Sequence, residues 1–205
     1  SAASDVYKRQ IRQYLAKSRS HLKAEVYEHL AFTDGLTELN NRLSFENDIN
    51  ECIGNNRPAC ISIDLNNLKR ANDTMGHSAG DVLIRGIATV LREAVGNEGK
   101  IYRIGGDEFM IVFNGLDDDQ VLRGMLRAIR TQIKWEFAED FENLSITCSI
   151  GASIFPVNGR DYEDLFKKAD CCLYIAKEKG RDRYVFFRDE MHRASYEAML
   201  NQNQL

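Results

Sequence analysis

The stretch Lys100-Ile101-Tyr102-Arg103-Ile104-Gly105-Gly106-Asp107-Glu108-Phe109-Met110-Ile111-Val112-Phe113 decides how the rest of the chain is read. Two apolar runs flank a break made of two glycines and two acids. Apolar runs of this length, rich in aliphatic and aromatic residues, are strands, and paired glycines accept the positive φ that a hairpin turn demands. The segment is therefore expected to form a hairpin with Asp107 and Glu108 at its turn. Glycine there also lets backbone come close to a ligand.

Upstream, Ala59-Cys60-Ile61-Ser62-Ile63-Asp64 is a short apolar strand that ends in a carboxylate. Taken alone, Asp64 is as well explained as the cap of a following helix. The second acidic position changes that. If the two strands are neighbours in one sheet, Asp64 and Asp107 meet at one edge and make a hard-oxygen pocket suited to Mg²⁺, which prefers carboxylates together with substrate phosphates. Between them runs a polar segment from Asn66 to Asp81, too dense in small and polar residues for a plain connector. One reading makes it a loop with Asp81 capping the next helix. The other lets Asn72 and Asp81 present an amide and a carboxylate to a base edge. A carboxylate accepts from the N1–H and N2–H of guanine, whereas adenine offers an acceptor at N1, so such a site selects guanine. His77 lies in the same segment without a Ser or Cys nucleophile beside it in a recognisable motif, and reads first as a hydrogen-bonding residue.

Helical spacing marks Leu43 to Ile53, Asp81 to Val95, Val121 to Trp135 and Tyr162 to Lys179, the last closed by Gly180. Ser145 to Ser153 alternates Ile146, Cys148, Ile150 and Ala152 against Thr147, Ser149 and Gly151, and Tyr184 to Phe187 is a last short strand. That order predicts a mixed sheet covered by helices. Residues 1–31 form a polar amphipathic helix or linker with Ile11, Leu15, Leu22, Val26 and Leu30 on its apolar stripe; Ser18 and Glu25 break a strict heptad seam. The tail, 189–205, is expected to be helical. Lys177, Lys179 and Arg181 at a helix C-terminus ordinarily compensate the dipole, and become phosphate contacts if that end lies near the carboxylates. Gly96-Asn97-Glu98-Gly99-Lys100 is no phosphate-binding P-loop, since Ile101 stands where Ser or Thr is needed and a strand follows.

Composition sets the outer bounds. The 205 residues, 43% of them hydrophobic, suffice for one cored domain with an appendage. Lys and Arg number 27 against 31 Asp and Glu, a net charge of −4, which is the wrong sign for a nucleic-acid binder. Five cysteines, an odd number without C-x-x-C spacing, read as core hydrophobes in a reducing compartment. No apolar run approaches the roughly 20 residues that span a bilayer, and no signal-peptide core is present. The expectation is a cytoplasmic protein, with no membrane contact within this segment.

Gly105-Gly106-Asp107-Glu108-Phe109 reads GGDEF letter for letter, and the chain resembles the GGDEF domain of bacterial diguanylate cyclases. The likeness extends over Asp34-Gly35-Leu36-Thr37-Glu38-Leu39-Asn40-Asn41-Arg42, Asp64 to Lys69, Asn72 to Asp81, and Ala169-Asp170 through Lys177 to Gly180-Arg181, in the family's order from Phe32 to Arg188. The resemblance implies a catalytic domain over 32–188 with a palm-like nucleotide-cyclase fold of the α/β (α+β) class, its central sheet mixed and antiparallel-rich. It implies condensation of two GTP into cyclic di-GMP and two pyrophosphates, with two Mg²⁺ per active site and Mn²⁺ as a substitute. Asp64, Asp107 and the Leu65 carbonyl resemble the metal ligands. Asp107 is also similar to the residue that helps deprotonate the attacking 3′-hydroxyl. Asn72 and Asp81 match guanine readers, with His77 grouped beside them. Lys69, Lys177 and Arg181 match phosphate contacts, Lys69 placed with Asp107 and Glu108 in the catalytic set; Glu108 supports the site. Because one domain holds one GTP, a homodimer is expected, with the N-terminal helix pairing like a coiled coil or relaying a signal from an upstream sensory domain of a larger sensor protein whose cytosolic part this segment forms. The alternative is a catalytically silent module that binds GTP or cyclic di-GMP. Two departures stand out: Glu38 replaces a usual Gly, and Gly96 and Gly99 replace the Arg and Asp of the family's R-x-x-D product site, so no feedback binding is expected there.

Overall fold

The computed structural model describes residues 2–55, 58–115, 119–141 and 143–202. In chain order the elements are α1 (Ala2–Phe32), β1 (Asn40–Asn41), α2 (Arg42–Asn55), β2 (Pro58–Asn66), α3 (Leu68–Met75), α4 (His77–Val95), β3 (Gly99–Arg103), β4 (Glu108–Asn114), α5 (Asp119–Glu136), β5 (Thr147–Ile154), α6 (Tyr162–Glu178), β6 (Tyr184–Phe186) and α7 (Asp189–Gln202). One six-stranded sheet runs β1-β3-β4-β2-β5-β6. The four inner strands pair antiparallel, and the short edge strands β1 and β6 pair parallel. This is the mixed sheet flanked by helices that the element order implied, and it is antiparallel-rich as the family resemblance implied.

Strand alternation sorts the core into two layers. Ile61, Ile63, Phe109, Ile111, Phe113 and Ile150 face α4 and α5, while Cys60, Met110 and Val112 face α2 and α6 through Phe45, Ile49, Leu165 and Ala169. Side chains buried this fully contribute roughly 1.5–3 kcal/mol each, so the sheet is a rigid platform for whatever its end carries. The parity also places Asp64, in step with Cys60 and Ser62, on the α6 side.

Three expectations are corrected. β5 is not half-exposed: Thr147, Ser149, Gly151 and Ser153 are buried too, because α6 covers that face. A Cβ at Gly151 would lie 1.9 Å from the Ala169 carbonyl oxygen, so only glycine lets helix and strand approach this closely. The polar segment after Asp64 is not a loop. Strand β2 continues to Asn66, and burial of Leu68 and Ala71 anchors the extra helix α3. Asp81 consequently lies inside α4, which begins at His77 behind Gly76, and caps nothing. α2 runs on to Asn55, past the span from Leu43 to Ile53 that helical spacing marks; of the residues expected to stop it, Asn55, Asn56 and Pro58, Asn56 lies outside the described residues.

α1 contacts the domain at its last turn, where the Asn41 amide donates to the Ala31 carbonyl at 2.7 Å and the Ser44 hydroxyl to that of Phe32 at 2.7 Å. Leu15, Leu22, Val26 and Leu30 on its stripe are exposed. Among the described residues no helix is long and apolar enough to cross a membrane.

α7 docks on α6 through Tyr196, whose hydroxyl donates to Asp164 at 2.9 Å, while His192 Nδ1 accepts from the Arg188 amide at 3.0 Å just ahead of the helix. Burial, with Lys179 and Arg188 adding, holds the His192 imidazole below its ordinary 6.5. The folded state therefore takes up this proton less readily than the unfolded chain, so its stabilisation is complete above about pH 6.5 and is lost as pH falls through the lowered value. Between about pH 7.5 and pH 5, the wild-type melting temperature is expected to fall by a few degrees more than that of His192→Gln. Equal slopes in calorimetry would exclude His192 as the titrating group.

Candidate active site

Antiparallel register places Asp64 of β2 directly opposite Glu108 of β4. The Leu65 amide donates to the Asp107 carbonyl at 3.1 Å, so the acidic hairpin turn is stitched to the strand carrying Asp64. The two acidic positions therefore share one end of the sheet's central strands. Asp64 is only 8% exposed. Burial raises its carboxyl above the usual range, repulsion from Asp107 and Glu108 adds, and Lys177 opposes. The Lys177 ammonium, in the last turn of α6, donates to Asp64 Oδ2 at 2.6 Å. A buried carboxylate with two acidic neighbours requires a cation, and here a lysine supplies it.

The hairpin turn differs from expectation in detail. Neither Gly105 nor Gly106 has positive φ. The turn is held instead by its carbonyls: Arg103 Nε donates to the Gly105 oxygen at 3.1 Å and an Arg103 terminal nitrogen to that of Gly106 at 2.9 Å. The other terminal nitrogen grips both oxygens of Asp34, at 3.0 and 3.2 Å. Burial works against the Asp34 charge, but hydrogen bonds from Thr37 and Arg103 outweigh it and hold the carboxyl below its usual value. One guanidinium thus ties the acidic turn to the segment that follows α1. Sequence reasoning quoted both residues without giving either this role; the available signal was a lone Arg two residues before paired glycines.

A cavity of about 450 Å³ opens at this end, and Asp64, Leu65, Lys69, Asp107, Lys177 and Arg181 all line it. Lys69 enters from the first turn of α3, Lys177 from the end of α6, and Arg181 from the turn beyond, where its φ is +58. Arg70 and Asp73 of α3 line the cavity as well, and were not singled out from sequence. Asn72, Asp81, His77 and Glu108 are not among its walls. Asn72 of α3 packs against Gly80 of α4, Asp81 and His77 are exposed on the first turns of α4, and Glu108 stands beside Asp64 on the paired strand. The Asn72 side chain is wedged against Gly80, where a Cβ would come within 2.0 Å of its amide oxygen. That oxygen is buried and has no hydrogen-bond partner. An unsatisfied buried acceptor costs about 1–3 kcal/mol and calls for a reason, whether strain, an ordered water or a ligand. Asp170, two turns before Lys177 on α6, is also near: its carboxyl is raised by desolvation first and by Glu108 second.

The donor set suits a hard divalent cation. It offers two carboxylates and a strand carbonyl, with an ammonium already at one carboxylate. Among the described residues no group of three or more His, Cys, Asp or Glu forms a self-sufficient metal cage. Phosphate oxygens would have to complete the coordination, which is how Mg²⁺ is ordinarily held. On the opposite hairpin flank, Gly99 is dictated by packing, since a Cβ there would meet the Val112 carbonyl at 2.8 Å.

The sheet order and the carboxylate-lined strand ends define an α/β domain with an acidic hairpin turn facing a basic helix end. The chain belongs to the GGDEF family, its residues 31–183 matching the domain described as Diguanylate cyclase, GGDEF domain. It is 36% identical over 174 residues to Diguanylate cyclase DosC of Escherichia coli, a match that covers 80% of this chain and 37% of that protein. It is 31% identical over 171 residues to Cyclic di-GMP phosphodiesterase PdeR of Escherichia coli, covering 82% of this chain and 26% of PdeR. The chain thus spans 26% to 37% of the length of these relatives. In structure it is similar to the coiled coil and GGDEF domain of DgcB from Caulobacter crescentus, solved in complex with c-di-GMP. The TM-score is 0.80 at 24% identity, with 89% of this chain and 99% of that one covered.

Proposed function

We propose that this chain is a diguanylate cyclase domain that joins two GTP molecules into cyclic di-GMP. The convergence of Asp64 and Asp107 with Lys69, Lys177 and Arg181 on one cavity carries the reading. In each half-reaction a 3′-oxygen to α-phosphorus bond forms, the bond from α-phosphorus to the bridging oxygen of pyrophosphate breaks, and the hydroxyl proton leaves. Asp64, Asp107 and the Leu65 carbonyl would hold Mg²⁺, with Mn²⁺ as a substitute, which when bound neutralises phosphate charge and lowers the hydroxyl's pKa. Asp107 draws off the hydroxyl proton. Lys69, Lys177 and Arg181 neutralise the charge that collects on departing pyrophosphate, an electrostatic task requiring position more than covalent chemistry. Asn72 and Asp81 read the guanine edge with His77 beside them, and Glu108 supports Asp64 from the paired strand.

One domain holds one GTP, so two must face each other, and holding both substrates in line supplies several kcal/mol. The exposed stripe of α1 supports pairing of that helix with a second copy. The span 32–188 is proposed as the catalytic domain, 1–31 as the pairing or signalling helix and 189–205 as an accessory tail, all in the cytosol. The unaltered signature favours turnover over the silent-module alternative. Incubating the protein with GTP and Mg²⁺ is expected to yield cyclic di-GMP and pyrophosphate by mass spectrometry. GTP bound but unconverted, at protein concentrations where the dimer is populated, would instead establish the silent module.

A further inference from the structure

Resting on that reading, we infer that Arg130 of α5 is a positioning residue for the phosphate-facing Arg181, acting through Asp182. After α6 the backbone passes through three consecutive left-handed residues, Gly180, Arg181 and Asp182, with φ of +101, +58 and +45. Glycine accepts this freely, but Arg and Asp do not, and two such residues in a row persist only where surrounding contacts over-determine them. Those contacts are visible. The Arg181 amide donates to the Ala176 carbonyl at 3.0 Å, and Arg183 Nε donates to the Arg181 carbonyl at 3.1 Å. The Arg183 carbonyl in turn accepts from Ile150 of β5 at 2.9 Å. These bonds fix the two ends of the turn. Its middle is fixed by one side chain: Asp182 Oδ1 accepts from Arg130 Nε at 2.8 Å, while its second oxygen faces the Lys134 ammonium at 3.7 Å, one helical turn on.

Arg130 does not line the cavity; Arg181 does. The ion pair is half-buried on both sides, and α5 is anchored by Leu126, Ile129 and Ile133 in the core, so the clamp point is rigid. Without the clamp the middle of the turn loses its strongest side-chain restraint, and only the bonds at its ends and the longer Lys134 contact hold Asp182 left-handed. The Arg181 guanidinium is then presented only part of the time, and apparent affinity for a ligand that needs it falls by that fraction. What depends on the clamp is the triphosphate and not the base.

The test uses the whole chain, with calorimetric titration of a GTP analogue that carries a methylene between the α- and β-phosphorus, and of guanosine. Arg130→Gln is expected to weaken the triphosphate analogue about tenfold, the scale of one charge-assisted hydrogen bond, while moving guanosine less than about twofold. Arg181→Ala should cause the same loss, and the double variant no more than either single change. Asp182→Ala carries the test from the other end of the pair and stands in if Arg130→Gln does not fold. Unchanged triphosphate affinity in a folded variant, additive losses in the double variant, or a parallel fall in guanosine affinity would each overturn the clamp. A folded wild type that binds no triphosphate analogue removes the GTP reading and the clamp together, whereas loss of the clamp alone leaves wild-type binding intact.

Discussion

Asp107→Asn is expected to lower the rate of cyclic di-GMP formation by at least about 10³-fold, equivalent to about 4 kcal/mol of transition-state stabilisation. The size follows from the double task proposed for this carboxylate, which helps hold the cation and draws off the 3′-hydroxyl proton. The fold should not suffer. The contact that stitches the turn to β2 uses the Asp107 backbone carbonyl, accepting from Leu65 at 3.1 Å, and asparagine preserves it. Removing one charge also relieves repulsion on the buried Asp64. Melting temperature is therefore expected to hold or rise while activity disappears, the trade-off common at sites built from crowded like charges. A variant that cyclises GTP at near wild-type rate, followed by product chromatography, would show that Asp107 is not in the machinery at all.

The second large effect concerns base choice. Gly80→Ala is expected to raise the KM for GTP at least tenfold and to erase much of the preference for GTP over ATP, because the new Cβ would sit 2.0 Å from the Asn72 amide oxygen. The clash lies within the side chain proposed to read the base, so Asn72 must swing away rather than the helix part. A lost hydrogen bond in a site built to receive one discriminates strongly, which is why displacing a reader acts on selectivity more than on turnover. Asp81→Ser should relax the same preference by a different route, since Asp81 is exposed on α4 and its removal disturbs no packing. Competition assays with mixed GTP and ATP read both variants. Guanine preference unchanged in the two would refute the Asn72 and Asp81 readout.

What the sequence discloses here divides along physical lines. The hairpin, the flanking strands and four of the helices follow from hydrophobic periodicity, and the letter-for-letter signature locates the acidic turn. Periodicity fails where burial is two-sided. β5 looks half-exposed because Thr147, Ser149 and Gly151 are polar or small, yet they are the residues that let α6 lie directly on the strand. It fails again over α3, where two buried residues in an eight-residue helix leave too short a pattern to register. The glycines of the signature mislead in a subtler way: paired glycine suggests positive φ, whereas the turn is held by Arg103 gripping two carbonyls. Connections of that kind, like the Asp34–Arg103 pair 69 residues apart and the Arg130–Asp182 pair 52 apart, leave no periodic trace in a single chain. They exist only once the sheet has brought distant segments together.

The lysine resting on Asp64 has a consequence for how the fold holds its most deeply placed acid. An internal ammonium that already answers the deepest acid makes this end of the sheet electrically tolerable with nothing else bound. On the function proposed above, divalent ions would come and go with nucleotide without leaving Asp64 unanswered, and arriving substrate phosphate would offer that same ammonium a second partner.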